Sequence, residues 1–526
     1  SSLTSLLNKG QATGNFTLKE IQNDSKSMGL MKMPNAQPRK SDPFAAKHVP
    51  NRLIIRYKDG QSGLANPGAL GAQIRTVRDL AKAQKAGTGV KALNGLNLSL
   101  VETIQNANLR EIAKALSEDP AVEYVEPDYV RGVSVLPNDP EWKNQYALQK
   151  IKAPQAWEKT KGSHSVIVAV IDTGIDYNHK DLQGNIWKNP GEIPGNRKDD
   201  DGNGYVDDVY GWDFANNDNN PMDGNRHGTH VAATAIGTGG SNREHTGTGM
   251  GAYLVDIKVL TDSGGTNSQA SISGMQWMIN NKDTDWGVNE STRGIDVASM
   301  SFGSVSSPLN PDDDGDNGSG AEARLVNTAT QNGIACIVAM GNDGNQRVPS
   351  PASADGAISI GSVDDRNSVN RTNDVLADYS NYGPRLDDGD DDDWDELKPD
   401  ITAFGSNIIS ASAAIGTSIP GQPDRPLADN EYDSKSGTSM ATPVVSGIVA
   451  AMLQADSELT PEEIKDILRN SSESRSQPGE PIASEPSVSD RWNDKWGFGL
   501  VDAACALDFV PSLCVSGSSL PDGIFL

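Results

Sequence analysis

Three residues of this 526-residue chain, far apart in sequence, have the types that nucleophilic catalysis needs. Ser439 lies in Ser436-Gly437-Thr438-Ser439-Met440-Ala441-Thr442-Pro443, where a small polar turn runs into apolar residues. Pro443 lacks an N–H and clashes with the carbonyl four residues back anywhere beyond a first helical turn, so the sequence predicts a helix starting close to Ser439. Small and apolar residues continue through 448–453, and a helix apolar all round is buried. A hydroxyl at the positive end of such a helix is well placed to face developing negative charge; taken alone, it is more simply an N-cap.

His227 opens His227-Gly228-Thr229-His230-Val231-Ala232-Ala233, a stretch of small residues that lets a helix approach its neighbours closely. Asp172 ends the apolar run 166–172. A serine nucleophile needs a histidine to accept its proton and a carboxylate to orient that histidine. Together the three point to acyl transfer, where each alone points to a cap, a turn or a structural imidazole. His227 and His230 stand three residues apart on one helix face, but no Glu or further His nearby completes a zinc set.

The elements that must position these residues alternate. The run 166–172 is nearly all apolar, as a strand covered on both faces must be, and similar runs follow at 255–260, 297–300 and 334–340. Helical patterns over 231–236 and 321–331 lie between them. The fold class is therefore α/β, a doubly wound, mostly parallel sheet whose site forms at the carboxyl ends of the strands. Ahead of it the sequence predicts a smaller unit, with strands over 53–57, 96–101 and 121–125 and helices beginning near Ile74 and after Asn108. Asn108 with Glu111 three residues on reads as a capping box, and the set reads as a small ferredoxin-like α+β sandwich. The domains so read are a poorly ordered leader over 1–47, the small unit over 48–132, the large unit over 133–510 and a tail over 511–526.

Charge divides the chain at the same place. Residues 1–133 hold 18 Lys+Arg against 12 Asp+Glu, and residues 134–526 hold 27 against 59, within a total net charge of −26. So acidic a body disfavours polyanionic partners, nucleic acid or an anionic membrane surface. It favours cation binding and attraction to its own basic leader. No run of 18 consecutive apolar residues marks a transmembrane helix, and the first residues, Ser1-Ser2-Leu3-Thr4, carry no charged-then-apolar secretory segment, which places any such signal outside this sequence. Of three cysteines, Cys336 lies in an apolar run and reads as a buried inert thiol, while Cys505 and Cys514 stand near enough in sequence to close a disulfide or to remain two thiols.

Val170-Ile171-Asp172-Thr173-Gly174, His227-Gly228-Thr229-His230-Val231-Ala232 and Gly437-Thr438-Ser439-Met440-Ala441-Thr442-Pro443 resemble the three signature segments of the subtilisin-like serine proteases, the subtilases. The order Asp, His, Ser is that of subtilisin, and the resemblance runs from about residue 48 to 508. It implies a secreted serine endopeptidase acting on polypeptides, with Asp172, His227 and Ser439 as triad. Asn342, in Gly341-Asn342-Asp343-Gly344, matches the family's oxyanion asparagine. Ser301-Phe302-Gly303 resembles the edge that pairs with extended substrate. Met340 and Gly341 would line the pocket for the side chain preceding the cut, with Asp343 at its mouth favouring basic residues. The basic unit resembles the inhibitory propeptide, a folding template removed by cleavage between about Asp128 and Asn138, which makes the chain a zymogen and, once matured, a monomer.

Calcium is the expected cofactor. Asp199-Asp200-Asp201-Gly202-Asn203-Gly204-Tyr205-Val206-Asp207 offers oxygen ligands at alternate positions, from Asp199, Asp201, Asn203, Tyr205 and Asp207, and so resembles the first half of an EF-hand loop, with Tyr210 standing where that loop has its last glutamate. By resemblance Asp139 and Asp181 belong to a second site with the loop 237–249. Asp312-Asp313-Asp314-Gly315-Asp316 is a further candidate, and the run 390–393 reads as a solvated acidic insertion. Two rival functions remain: an esterase, which would want Gly-x-Ser-x-Gly and the order Ser, Asp, His, and an inactive homologue that only binds.

Overall fold

The computed structural model describes residues 48–58, 61, 64–65, 74–79, 98–105, 107–129, 141–239, 245–265, 268–284, 294–304, 315–389, 394–414, 431–477, 480–481 and 491–513. The expected leader over 1–47, the expected cleavage segment past Tyr129, Asp139, Asp312, Asp313 and Asp314, the run 390–393 and Cys514 lie outside these residues. The described residues fall into two compact units, one within 38–133 and one within 134–513.

The first unit holds β1 (His48–Tyr57), β2 (Ile74–Asp79), β3 (Leu98–Thr103), helix α1 (Leu109–Ser117) and β4 (Val122–Tyr129). Its sheet runs β2-β3-β1-β4 with every neighbouring pair antiparallel, the ferredoxin-like order. Leu53, Ile55 and Tyr57 of β1 and Val101 of β3 pack on Ile112 and Leu116 of α1. The Asn108 side chain caps α1 by accepting the Glu111 N–H at 3.4 Å. The helix expected to begin at Ile74 is instead strand β2. Its apolar residues suit either period, but Ile74, Thr76 and Val77 are β-branched and favour the strand, and β2 pairs with β3 from Ile74↔Thr103 to Asp79↔Ser99.

The second unit is built on β5 (Ile167–Asp172), β6 (Gly211–Asp213), helix α2 (His227–Ile236), β7 (Tyr253–Lys258), α3 (Ser268–Asn280), β8 (Val297–Met300), α4 (Ala321–Gln331), β9 (Ala335–Ala339), β10 (Ile358–Asp364), β11 (Val375–Leu376), β12 (Ile401–Phe404), β13 (Ile408–Ser412), β14 (Glu431–Lys435), α5 (Thr438–Ala455) and α6 (Pro461–Ser471). The eight-stranded sheet runs β11-β10-β9-β8-β5-β7-β6, with β12 beside β10. Every pairing is parallel except β10 with β11. From β5 the chain goes to β6 at one edge and returns to β7 between them, then crosses to β8, β9 and β10 on the other side. The order thus reverses between β5 and β8, and a doubly wound sheet opens its crevice at such a switch, past the carboxyl ends of the strands.

Burial follows the pattern read from the sequence. All six residues of β5 are buried, and Ile167, Ala169 and Ile171 meet Met275 and Met278 of α3 and Ala323 and Val326 of α4 in one core. Cys336 is buried there too, its thiol pushed up to about 12 by burial. On the other side α5 packs across β8, β9 and β10 and against α2. By length and composition α5 resembles a membrane span, but Thr438 through Leu453 are buried inside this unit. The two helices meet closely, since a Cβ on Gly447 would lie 2.6 Å from both the Ala235 carbonyl oxygen and the Gly249 nitrogen. Gly447→Ala is therefore expected to destabilise this unit by about 1–3 kcal/mol, the range for overpacking a close contact, read as a lower urea midpoint.

Candidate active site

Asp172 is the last residue of β5 and Ser301 the first after β8. Because Ile171 pairs with Met300, the two leave the sheet side by side at the switch point. Helix α2 begins at His227, one residue past Arg226, which holds a left-handed φ of 80°. Its first turn rests directly on the loop after β5, and the His227 Nδ1 lies 2.7 Å from the Asp172 Oδ1. The same Oδ1 accepts the Thr173 N–H at 2.7 Å, which fixes the carboxylate.

An acid that the sequence reading missed secures this joint. Fully buried Asp223 accepts the Thr173 hydroxyl at 2.9 Å, the Thr229 hydroxyl at 2.6 Å and the backbone N–H groups of Asn225, Arg226 and Thr229. It satisfies the orphan donors at the start of α2 and ties them to the end of β5. The available signal was an aspartate four residues before the first helical residue, which on its own is only a turn residue. Burial pushes the Asp223 carboxyl up, against those same hydrogen bonds. On His227 burial works against the imidazolium, but the charge and hydrogen bond of Asp172, helped by Asp223, outweigh it and hold the pKa above its ordinary value.

Ser439 is the second residue of α5, so its N–H has no intrahelical acceptor. Its hydroxyl donates to the Ser301 carbonyl at 3.1 Å rather than to His227, and the Ser301 hydroxyl returns a bond to the Ser439 carbonyl at 3.0 Å. Catalytic hydrogen bonds are commonly loose without substrate. Pro443 sits in the second turn, deeper than the proline argument anticipated. The intrahelical bond it cannot make is the one to the Ser439 carbonyl, and the Ser301 hydroxyl takes that place.

Asn342 follows β9. Its Oδ1 accepts the Thr438 N–H at 2.8 Å and the Thr438 hydroxyl at 3.0 Å, and the Gly341 N–H donates to that hydroxyl at 3.1 Å. Two donors on Oδ1 fix the amide's orientation and turn its Nδ2 away from Thr438 as a donor. Thr438, absent from the sequence-based set, is thus the residue that orients Asn342.

The expected substrate residues separate. Gly303 makes no hydrogen bond among the described residues, which leaves that edge open. Phe302 is half-buried against the core, and the Met340 side chain is wholly inside it, so of the pair Met340 and Gly341 only Gly341 reaches the surface. The Asp343 carboxylate faces Arg347, with Nη1 to Oδ2 at 3.3 Å.

The acidic loop is arranged differently from its sequence pattern. Asp199 accepts the N–H groups of Gly202, Asn203 and Gly204, and Asp207 accepts those of Gly195, Asn196 and Arg197. Both carboxylates therefore hold turns. The Tyr205 ring stacks edge-on against Trp212 and Phe214. Asp201 instead joins Glu192 and Asp208, one carboxylate oxygen of each lying within 4.8 Å of the others. The Asn203 Nδ2 donates to Asp208 at 2.9 Å. Burial, opposed by Asn203 and Asn189 and reinforced by the Asp201 and Glu192 charges, pushes the Asp208 carboxyl up to about 7. A half-buried group of three acids has the donor set of a hard cation. Asp181 is buried, accepts the Tyr432 hydroxyl and the His245 N–H, and falls in no group of three such ligands among the described residues.

Residues 163–499 match the model of the subtilase family, and residues 34–128 match that of the fervidolysin N-terminal prodomain. The chain is 31% identical to the serine protease AprX of Bacillus subtilis over 66% of each chain. It is 31% identical to an extracellular protease of Xanthomonas campestris, over 83% of this chain and 71% of that one, and 30% identical to thermitase of Thermoactinomyces vulgaris, over 60% of this chain and 85% of that one. The chain belongs to the subtilase family. It is a subtilisin-like serine protease with an N-terminal prodomain.

Asp172→Asn tests the electrostatics of the pair. The carboxylate raises the His227 pKa, so its loss moves the acid limb of kcat/KM to lower pH, with kcat falling by about 10⁴, the size of effect known for such a substitution. A pH profile of peptide hydrolysis reads both.

Proposed function

We propose that Asp172, His227 and Ser439 are the catalytic triad and that the chain hydrolyses peptide bonds through an acyl-enzyme. The observation that carries this reading is the 2.7 Å bond from His227 Nδ1 to Asp172, which makes Nδ1 the protonated nitrogen and leaves Nε2 as the base. Ser439 turns its hydroxyl from the Ser301 carbonyl to His227 and attacks the substrate carbonyl as Nε2 takes the proton. Asn342 Nδ2 and the Ser439 N–H receive the oxyanion. The imidazolium, stabilised by Asp172, returns the proton to the leaving amine, and water then repeats the sequence on the ester. The substrate adds as a strand along Ser301, Phe302 and Gly303, with the side chain preceding the cut between Gly303 and Gly341.

The first unit, taken as 48–132, is read as an inhibitory propeptide that follows a leader over 1–47 and is released from a catalytic unit over 133–510, with 511–526 as a tail. Support comes from the prodomain match, the ferredoxin-like sheet order and the opposite charges of the two halves. The named relatives include an extracellular protease, and secretion as a monomer is the setting this reading assigns. Calcium is read as a structural ion held by Glu192, Asp201 and Asp208 with Asn203 beside them, where it neutralises acids that otherwise repel. Asp199 and Asp207 are not in that set.

Ser439→Ala is expected to leave the folded protein with its leader still attached and to abolish cleavage of casein; equal activity in the variant and the parent would overturn the proteolytic reading. Removal of calcium by a chelator is expected to lower Tm by several degrees, with recovery on adding Ca²⁺ but not Na⁺, read by calorimetry. Equal midpoints would remove the ion.

A further inference from the structure

An acid at the mouth of the pocket for the residue preceding the cut, such as Asp343, would by itself favour lysine or arginine there. Its surroundings cancel that preference. The Arg347 guanidinium, only 3% exposed, lies 3.3 Å from the Asp343 carboxylate and is held in place by donating to the Ser304 carbonyl at 2.9 Å. The Asn381 amide donates to the same carboxylate oxygen at 3.2 Å, and the Asp343 N–H donates back to Asn381 at 2.7 Å. A cation entering from solvent would meet a carboxylate already engaged by a buried, fixed cation. For that cation the attraction of the carboxylate and the repulsion of the guanidinium oppose each other.

The depth of the pocket is limited by the Pro349 ring and its neighbours. Gly303 and Gly341, the two walls in the reading above, carry no side chain. A Cβ built on Gly303 would lie 3.3 Å from both Pro349 Cγ and the Ser350 carbonyl oxygen, and one built on Gly341 would lie 2.6 Å from the Asn381 Nδ2 and 3.5 Å from Pro349 Cγ. The proline ring is therefore in contact range of both glycines and, with the Asn381 amide behind Gly341, fills the space beside them. It has little freedom to withdraw. The Ser304 N–H donates to the Ser350 carbonyl at 2.9 Å, the Ser353 N–H to the Pro349 carbonyl at 3.0 Å, and the Asp316 N–H to the Val348 carbonyl at 2.8 Å. The ring itself fixes its own φ.

We infer that Pro349 and Arg347 make this pocket shallow and electrically neutral, so that the enzyme cuts after small uncharged residues and discriminates against aromatic and basic ones. The inference rests on the proteolytic reading above and gives that site a substrate class. One methylene more or less in an apolar pocket changes selectivity about 10–200-fold, so a side chain as large as phenylalanine meets a larger barrier unless the ring moves.

The test uses the matured enzyme and three tetrapeptide p-nitroanilides that differ only in Ala, Phe or Lys before the scissile bond. The expected result is a kcat/KM for Ala at least tenfold above both others. Pro349→Gly should raise the Phe-to-Ala ratio at least tenfold, and Arg347→Met the Lys-to-Ala ratio. Because Arg347 is buried and its loss alone leaves Asp343 uncompensated and can disturb folding, the double variant Asp343→Asn with Arg347→Met serves as the second: a pair whose charges cancel predicts a Lys-to-Ala ratio within twofold of the parent when both are removed. A parent that prefers Phe or Lys, a Phe-to-Ala ratio unmoved by Pro349→Gly, or a Lys-to-Ala ratio that collapses in the double variant would each overturn the inference while leaving proteolysis intact. A parent as inert as Ser439→Ala on all three peptides would instead sink the proteolytic reading.

Discussion

The descent of α2 onto the end of β5 is the contact on which the rest of the site depends. A Cβ on Gly228 would lie 2.1 Å from the Gly174 carbonyl oxygen, and one on Gly174, whose φ is +103°, would lie 2.1 Å from the Pro221 carbonyl oxygen. No side chain fits at either place, so helix and loop meet backbone to backbone. That approach brings His227 within 2.7 Å of Asp172. It also fixes where α5 can lie, because α5 packs on the far part of α2 through Gly447. Asp223 locks the arrangement: it costs a buried carboxylate, compensated by five hydrogen bonds.

The other half of the site uses a helix irregularity. A proline in the second turn of α5 leaves one carbonyl without its intrahelical donor, and that carbonyl belongs to Ser439. The Ser301 hydroxyl, delivered by the neighbouring strand, fills the place. A potential cost to the helix thereby becomes a tie between α5 and the end of β8. Thr438, one residue earlier, binds Asn342 by backbone and side chain together. Ser439 and Asn342, the proposed nucleophile and oxyanion donor, are thus positioned by consecutive residues, so a shift of the helix would move them as one.

Much of this was legible in the sequence, for physical reasons. Strands buried on both faces are nearly continuous apolar runs, and β5, β8 and β9 read correctly from theirs. The triad candidates sit in long local motifs, as does Asn342. What could not be read depends on contacts distant in sequence. Asp223 and Thr438 act through partners that no local pattern reveals. The run after Ile74 has a helix-compatible spacing, and only pairing with β3 decides for a strand. In the acidic loop, alternation of oxygen-bearing residues identified the segment. It did not say which carboxylates bond their own backbone, as Asp199 and Asp207 do, or that Glu192 and Asp208 would join Asp201 from either side. Asp343 read as a bare charge because its partner Arg347 becomes significant only once both are folded.

The central claim is that the fold activates one serine among many through His227 and Asp172. The direct measurement is labelling of the matured enzyme with a fluorophosphonate, followed by peptide mapping, across a pH series. Stoichiometric modification of Ser439 alone is predicted, with a rate that rises as His227 loses its proton and is lost in the unfolded chain. Labelling spread over several serines, or a rate at Ser439 equal in folded and unfolded protein, would contradict the account.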